Sequence, residues 1–548
     1  MSRFLTLHDP DNAQRFYAEG HWRPETFYAL LQHNAECTPD ACFLRDSYRR
    51  LTYAEALAWV EILAARFAAA GLHRGERVAI SAPNRVEVPL VFLACSRNGY
   101  ACNPSLHQNY TTREVLQLIE RIGARALVAL PGYGVDGAIH DRADAAEALG
   151  GLRRVFRLGH GADAGELSPD AGEGAPPPPL LSPDKVVYLA FTSGTTGTPK
   201  AVMHSDNTLL ANARPMVADW GHDAGTVLFS MSPLSHHNGW VALGQVLVCG
   251  GELVVNDLPS SRGVLDRIVA VGATYLMGVP THAIDLIAEA RARGAERIGR
   301  VRTWYVAGAT IPPDVSRSIV SLGARPQNVY GMTENSSHQY PLPNDSFEVM
   351  TTTCGRANAG YEVAIFDPEN TDRMLGPGET GEIGGRGACL MLGYFDNQGA
   401  TEKSFNSDGW FLTGDLGRLD ADNCLSIVGR SKDVIIRGGH NIYPGHIENL
   451  SVTHPLIEKA AAFAVTDPRL GEKVCLAVTL SESAALSPDQ ILEHLHTKGL
   501  SRYDMPEYVL PLEVMPTTAS GKILKRELSE LVRAGSVTPT PVRFQAAV

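Results

Sequence analysis

Short runs rich in β-branched and aromatic residues recur along the chain: RVAI at 77–80, KVVYLAF at 185–191, TVLFS at 226–230, TYLMGV at 274–279 and RTWYVAG at 302–308. Each predicts a strand, and longer amphipathic stretches such as LTYAEALAWVEILAARFAAAG at 51–71 predict helices between them. That alternation predicts an α/β fold with mostly parallel sheets. From about 355 the texture changes to short strands separated by Gly, Asp and Asn turns (GYEVAIFDPEN, GETGEIGGRG, GDLGRLDADNCLSIVG), which predicts a smaller β-rich subdomain. A boundary is expected near 430, dividing the chain into 1–430 and 431–548, the second a compact α+β domain. In SPDQILEHLHTKG of that domain, Ser487 can N-cap a helix, Pro488 takes its first turn, Gln490 closes a capping box and Gly499 stops it. Residues 161–184, rich in Pro, Gly and Asp, read as a surface loop or spacer.

Composition narrows the function. At 548 residues, 44% hydrophobic and 20% charged, the chain is too long for one core and too apolar for disorder. A net charge of -12 argues against a general nucleic-acid or membrane-surface binder, so an anionic ligand must be met locally by backbone N–H groups and a few cations. The apolar run VALGQVLVCGGELVV at 241–255 is interrupted by Gln245, glycines and Glu252, so no membrane span is expected. Nine cysteines with no CxxC pair suit reduced thiols, the N-terminus has no apolar signal core, and the C-terminal QAAV is no peroxisomal address; a cytoplasmic location is the expectation.

Candidate chemistry begins at FTSGTTGTPK, residues 191–200. Glycines let backbone approach a phosphate closely and hydroxyls add donors, so this loop after a strand reads as a polyphosphate cradle. It is not a Walker A loop, because Pro199 precedes Lys200 and Ala201 follows it.

Four further segments accompany it in order: YGMTE (330–334), TGDLG (413–417), GRSKDVIIRGGHNIYP (429–444) and PTTASGKILKREL (516–528). With YLAFTSGTTGTPKAVMHS, they make the whole chain resemble the adenylate-forming superfamily of acyl-CoA synthetases, luciferases and peptide-synthetase adenylation domains. The resemblance implies a large N-terminal domain of two α/β subdomains plus a distorted β-barrel, with a small mobile α+β C-terminal domain. It implies ATP, Mg²⁺ and coenzyme A as cofactors, and an AMP-forming acid–thiol ligase. Thr192, Ser193, Gly194, Thr195, Thr196, Gly197 and Lys200 would hold the phosphates. Glu334 would bind Mg²⁺, which prefers hard oxygen ligands, and Thr333 would contact the α-phosphate. Asp415 and Arg430 would meet the ribose, while Gly308, Ala309 and Tyr330 would pack on adenine.

Attack of a carboxylate on the α-phosphate brings two anions together, so positive charge must meet them there. Lys522 matches the family lysine that does this. CoA must then reach the same carbon, and the resemblance implies a swing of the tail about Lys432 that presents Gly438 and Gly439 along a pantetheine tunnel; read as structure alone, RGG is a hairpin turn. PLSHHNGW at 233–240 resembles the family's PxxHxxG pattern, which implies His236 by the acyl pocket or the CoA channel, with His237, Trp240, Gly331 and Met332 shaping the wall. Neighbouring His236 and His237 on a strand would point to opposite faces, which argues against a metal site there. His440 and His446 replace the family's usual glutamates, and AGATI at 307–311, with Ala307 and Thr310, replaces a GGAPL-like segment.

The expected activity is activation of a small-to-medium apolar acid through an acyl-adenylate, in a monomer or homodimer. The alternative is a free-standing adenylation enzyme that loads a carrier-protein phosphopantetheine. A nucleotide-binding scaffold without turnover is disfavoured by Glu334, Asp415 and Lys522. An amino acid substrate is disfavoured because VALGQ offers no Asp for an ammonium group.

Overall fold

The computed structural model describes residues 4–170, 174–192, 199–258, 263–308, 311–481, 485–517 and 523–544. Ser193, Gly194, Thr195, Thr196, Gly197, Ala309, Thr310 and Lys522 lie outside the described residues.

The apolar runs form strands as their pattern requires. Seven pair in the order Arg325–Asn328, Thr303–Val306, Tyr275–Gly278, Val227–Ser230, Glu252–Val255, Cys42–Arg45 and Arg50–Thr52. All neighbours are parallel except the last two strands. A second sheet of six runs Arg154–Arg157, Ala124–Ala129, Arg77–Ser81, Ala101–Asn103, Val186–Thr192 and Lys200–Ser205, parallel until its last pair. Helix Glu87–Asn98, buried at every position, contributes with helix His237–Cys249 to the largest apolar cluster, where Phe92 packs on Trp240 with ring centroids 4.6 Å apart. Its charged ends are paired, Glu87 with Arg49 and Arg85, and Arg97 with Glu61, and truncating an aromatic there costs about 3–5 kcal/mol. Helix Tyr53–Ala69 starts where Thr52 and Glu55 close a capping box, and it buries Tyr53, Ala56, Trp59, Val60 and Leu63 on one stripe.

The β-rich region beyond 355 is antiparallel, a sheet of five strands in the order Asn370–Met374, Tyr361–Asp367, Gly381–Gly387, Phe411–Leu419 and Leu425–Arg430. Beyond 430 a separate sheet joins His440–Ile442, Ile435–Arg437, Gly471–Leu480, Tyr508–Pro511 and Thr540–Pro541, with Ile457–Asp467 also paired to Gly471–Leu480. Two apolar clusters consist only of residues from this tail. Its helix Pro488–Thr497 carries the foreseen capping box of Ser487 and Gln490.

The spacer expected at 161–184 is corrected at its start. Ala164 and Leu167 are buried, Trp59 Nε1 donates to the Leu167 carbonyl (2.7 Å), and Arg85 donates to the carbonyls of Gly159 and Asp163. Distant side chains satisfy this backbone, so a composition typical of free loops occurs here in a packed one. No helix among the described residues is long and apolar enough to cross a membrane.

Candidate active site

In parallel α/β sheets ligands gather beyond the carboxyl ends of the strands, because loops and helix N-termini converge there. The segments 231–236, 279–282, 307–308 and 329–334 follow the carboxyl ends of four neighbouring strands of the seven-stranded sheet. Most of the residues singled out in the large domain lie on or beside them.

The hairpin Tyr330–Met332 and Ser336–Tyr340 carries five of the candidate residues, with Thr333, Glu334 and Asn335 at its tip. Gly331 is obligatory, since a Cβ there would sit 1.7 Å from the Ser336 carbonyl oxygen. Asn335 Oδ1 accepts the Met332 N–H (3.0 Å), and His204 Nε2 donates to the Thr333 carbonyl (2.7 Å). His204 is neutral, its pKa lowered to about 4 by burial, which leaves Nδ1 free to accept from the Thr208 hydroxyl (3.0 Å). The tip is thus fixed without any charge.

Glu334 is buried and its Oε1 accepts from the Tyr394 hydroxyl (2.9 Å). Burial raises its pKa, while the Tyr394 bond and Lys200 pull it back down. Lys200 Nζ stands 4.0 Å from the centroid of the same Tyr394 ring, and burial lowers its pKa. Among the described residues no three His, Cys, Asp or Glu side chains gather to hold a metal. A buried carboxylate of raised pKa with one neutral donor on Oε1 fits Mg²⁺, whose remaining ligands would be phosphate oxygens and water.

The residues on either side of 193–198 are anchored. Thr192 and Lys200 are paired across the two strands, Phe191 N–H donates to Ser105 Oγ (2.7 Å), and Arg121, last residue of helix Thr112–Arg121, donates to the Pro199 carbonyl. Leu392 and Phe395 extend this edge by backbone bonds to Met203 and Ala201, which brings Tyr394 over Lys200.

At the other end of the hairpin the Tyr330 hydroxyl donates to Asp415 Oδ2 (3.0 Å), and Arg430 Nε lies 3.3 Å from Asp415 Oδ1. Burial, followed by the Asp415 charge, pushes the Tyr330 phenol well up. Asp415 and Arg430 are cross-strand partners, and Gly414, at φ +75, donates its N–H to Glu382 (3.0 Å). The Tyr330 ring is largely buried and edge-on to His338, with centroids 5.6 Å apart. Gly308, at φ +93, is exposed one residue beyond Ala307.

His236 and His237 are not on a strand, which corrects the sequence expectation: His236 caps helix His237–Cys249 and His237 is its first residue. They still diverge. His236 stacks on His107 with centroids 4.3 Å apart at 22°, and its Nε2 is buried without a protein partner. His237 Nε2 lies 2.9 Å from Ser336 Oγ, against the hairpin. Burial lowers His236 to about 4, with His282 adding to it, and lowers His107 to about 3. Trp240 is 1% exposed, with Nε1 donating to the Leu234 carbonyl (2.9 Å), which places it in the core. Met332 is half-buried.

In the tail, Lys432 sits in a single 3₁₀ turn, Ser431–Asp433, directly after the strand that ends at Arg430. Ser431 Oγ donates to the Gly414 carbonyl (3.0 Å), tying this turn to the Asp415 loop. Gly438 (φ +59) and Gly439 (φ +85) form a two-residue hairpin turn, as the RGG run suggested. His440 contacts Asp504 Oδ1 at 2.9 Å, and His446 is exposed.

Sequence reasoning missed Tyr394, His204 and His107. Each acts through a partner at least 60 positions away, and nothing in its local pattern marks it.

Comparison with known proteins gives the following. Residues 31–395 match the family described as AMP-binding enzyme, and 446–522 match the AMP-binding enzyme C-terminal domain. The medium-chain fatty-acid–CoA ligase of Escherichia coli (strain K12) is 28% identical over 529 residues, spanning 95% of this chain and 93% of the relative. A feruloyl-CoA synthase of Amycolatopsis sp is 32% identical over 498 residues, spanning 90% and 96%. The crystal structure of ATP-bound MatB from Rhodopseudomonas palustris superposes with a TM-score of 0.82 at 28% identity, covering 92% of this chain and 99% of that one.

Proposed function

This chain belongs to the AMP-binding enzyme family of the adenylate-forming superfamily, and from that premise we propose that its two domains serve two half-reactions at one carboxyl carbon in turn. It is an ATP-dependent acyl-CoA synthetase, an AMP-forming acid–thiol ligase that uses ATP, Mg²⁺ and CoA. In the first step the acid's carboxylate attacks the ATP α-phosphorus, forming acyl-AMP and releasing pyrophosphate. In the second the CoA thiolate attacks the acyl carbon, and AMP leaves with the bonding electrons.

One arrangement supports assigning the first step to the Tyr330–Tyr340 hairpin: it carries Tyr330 to the Asp415 carboxylate at one end and Glu334 to the Tyr394–Lys200 pair at the other. Asp415 and Arg430 take the ribose hydroxyls. Lys200 and the loop ending at Pro199 hold the β- and γ-phosphates, and Thr333 takes the α-phosphate. Glu334 would hold Mg²⁺, which when bound would supply charge neutralisation at the phosphate oxygens. Lys522 bridges the carboxylate and the α-phosphate. Lys432 is the hinge about which the tail then turns, removing Lys522 and presenting Gly438 and Gly439 to pantetheine.

The acid is small to medium and uncharged apart from its carboxylate. Its wall offers Met332 and the neutral His236 and His107, and an ionised tail would find no counter-charge among them. The nine free thiols support a cytoplasmic enzyme, monomer or homodimer.

A pyrophosphate-release screen over aliphatic, alicyclic and aromatic acids, with free CoA or a holo carrier protein as acceptor, tests this. Acid-dependent release together with acyl-CoA formation is expected. No release with any acid, or transfer to the carrier but not to CoA, would overturn it.

A further inference from the structure

The turn at Gly438–Gly439 is held far more firmly than a chain reversal requires. Two glycines at positive φ already form a tight hairpin turn, and such a hairpin standing alone is only marginally stable. Here both residues flanking the glycines are tied by side chains to one short segment of the tail. Arg437 Nε donates to Glu507 Oε1, and His440 Nε2 donates to Asp504 Oδ1 at 2.9 Å. That segment is itself fixed: Glu507 Oε2 accepts the Val474 N–H (3.0 Å), the Glu507 N–H donates to the Val474 carbonyl (3.0 Å), and the Asp504 N–H donates to the Ser501 carbonyl (3.0 Å). The Gly438 N–H also donates to the Leu470 carbonyl (2.8 Å) and the Ile436 N–H to Glu472 Oε2 (2.7 Å).

Four anchors on a turn of two residues leave its backbone little freedom, although its side chains are hydrogens and contribute no packing. What such anchoring preserves is the path of the turn's own N–H and C=O groups. We propose that Asp504 and Glu507 are positioning residues for the thioester half-reaction, clamping Arg437 and His440 so that the Gly438–Gly439 backbone keeps the path along which CoA's pantetheine arm passes. This rests on the two-step function proposed above and assigns it two residues outside every motif that led there. The step is sensitive to placement, since a misplacement of about 1 Å at a positioning group can cost on the order of 10²-fold in rate.

The two half-reactions supply a readout that a merely structural role would not move. With the full chain and the best acid among octanoate, cyclohexanecarboxylate, benzoate and ferulate, the first step is measured as acid-dependent ATP–pyrophosphate exchange. The second is measured as acyl-CoA formation from the preformed acyl-AMP and CoA. Asp504→Ala is expected to raise the KM for CoA and slow the second step by about tenfold, the effect of one lost charge-assisted hydrogen bond, with exchange changed less than about twofold. Asp504→Asn, which keeps an acceptor oxygen, is expected to recover most of that loss. Glu507→Ala also strips the Val474 N–H of its partner, so the Asp504 pair carries the test. An unchanged second step in Asp504→Ala, or equal slowing of both steps, would overturn the clamp. A wild-type chain that forms no CoA thioester would overturn the two-step function and the clamp with it.

Discussion

The two hairpins to which the two half-reactions are assigned by proposal are built in opposite ways. In Tyr330–Tyr340 the glycine is imposed by contact, because no Cβ fits between Gly331 and the Ser336 carbonyl, and the supporting side chains, His204, His237 and Asn335, are buried and uncharged. In Ile435–Ile442 the glycines are imposed by φ, and the supports, Arg437 with Glu507 and His440 with Asp504, are charged or chargeable and partly open to solvent. A site that must stabilise developing charge gains from a rigid surround of low dielectric. A surface that must undock and turn within each cycle cannot bury its supports, since each undocking would then expose apolar area and charge together. The contrast matches the two duties proposed for them.

The largest effect expected is at the buried hairpin. Glu334→Gln keeps the shape and removes the charge, and adenylation should fall by roughly 10²–10³-fold, as when a transition-state charge stabiliser is lost, with more Mg²⁺ needed for half-maximal rate. Thioester formation from supplied acyl-AMP should stay near wild type; a matching fall there would erase the division of labour. Next is the link between the regions. Lys432→Pro fixes φ in the Ser431–Asp433 turn, so acyl-AMP should accumulate in a burst while steady-state turnover drops by about tenfold or more. Unchanged turnover would remove the hinge from this position.

A smaller effect separates the regions by pH. Burial holds seven imidazoles of the large domain, His107, His204, His222, His236, His237, His282 and His338, below the ordinary histidine value. For a lowered pKa the unfolded chain binds the proton first, so their contribution is complete above about pH 6.5 and is lost as pH falls toward about 4. The raised carboxylates Asp219, Asp285, Glu334 and Glu382 work the other way, four groups against seven. In the tail the His494 imidazole is shifted in the same direction. All six tryptophans lie at or before Trp410, so tryptophan emission reports the large domain alone. Between pH 7 and 5 its melting temperature should fall more than the tail's, followed by hydrogen exchange of the strand Ile457–Asp467. A tail that melts first as pH falls would break the contrast.

Much of this was legible in the chain because it is local: the five apolar runs became strands, Ser487 with Gln490 closed a capping box, and the two glycines after Arg437 formed the turn. The start of helix His237–Cys249 was not legible: His236 and His237 were read as strand neighbours. Gly244 is there for contact, a Cβ falling 3.1 Å from that of Ala213 on helix Asp206–Trp220. Trp240 was expected at the pocket wall from the PxxHxxG resemblance, which aligns the segment without saying which of its side chains the core covers. Tyr394, His204 and His107 stayed hidden because their roles arise only from long-range pairing. The clamp residues Asp504 and Glu507 were hidden for the same reason.

The most direct test of the division between the two regions is Lys522→Ala assayed for each half-reaction separately. Acid-dependent ATP–pyrophosphate exchange should fall by at least about 10²-fold, while conversion of supplied acyl-AMP and CoA to the thioester should remain within about threefold of wild type, because the cation acts only where two anions meet at phosphorus. Equal loss in both assays, or retention of exchange, would contradict it.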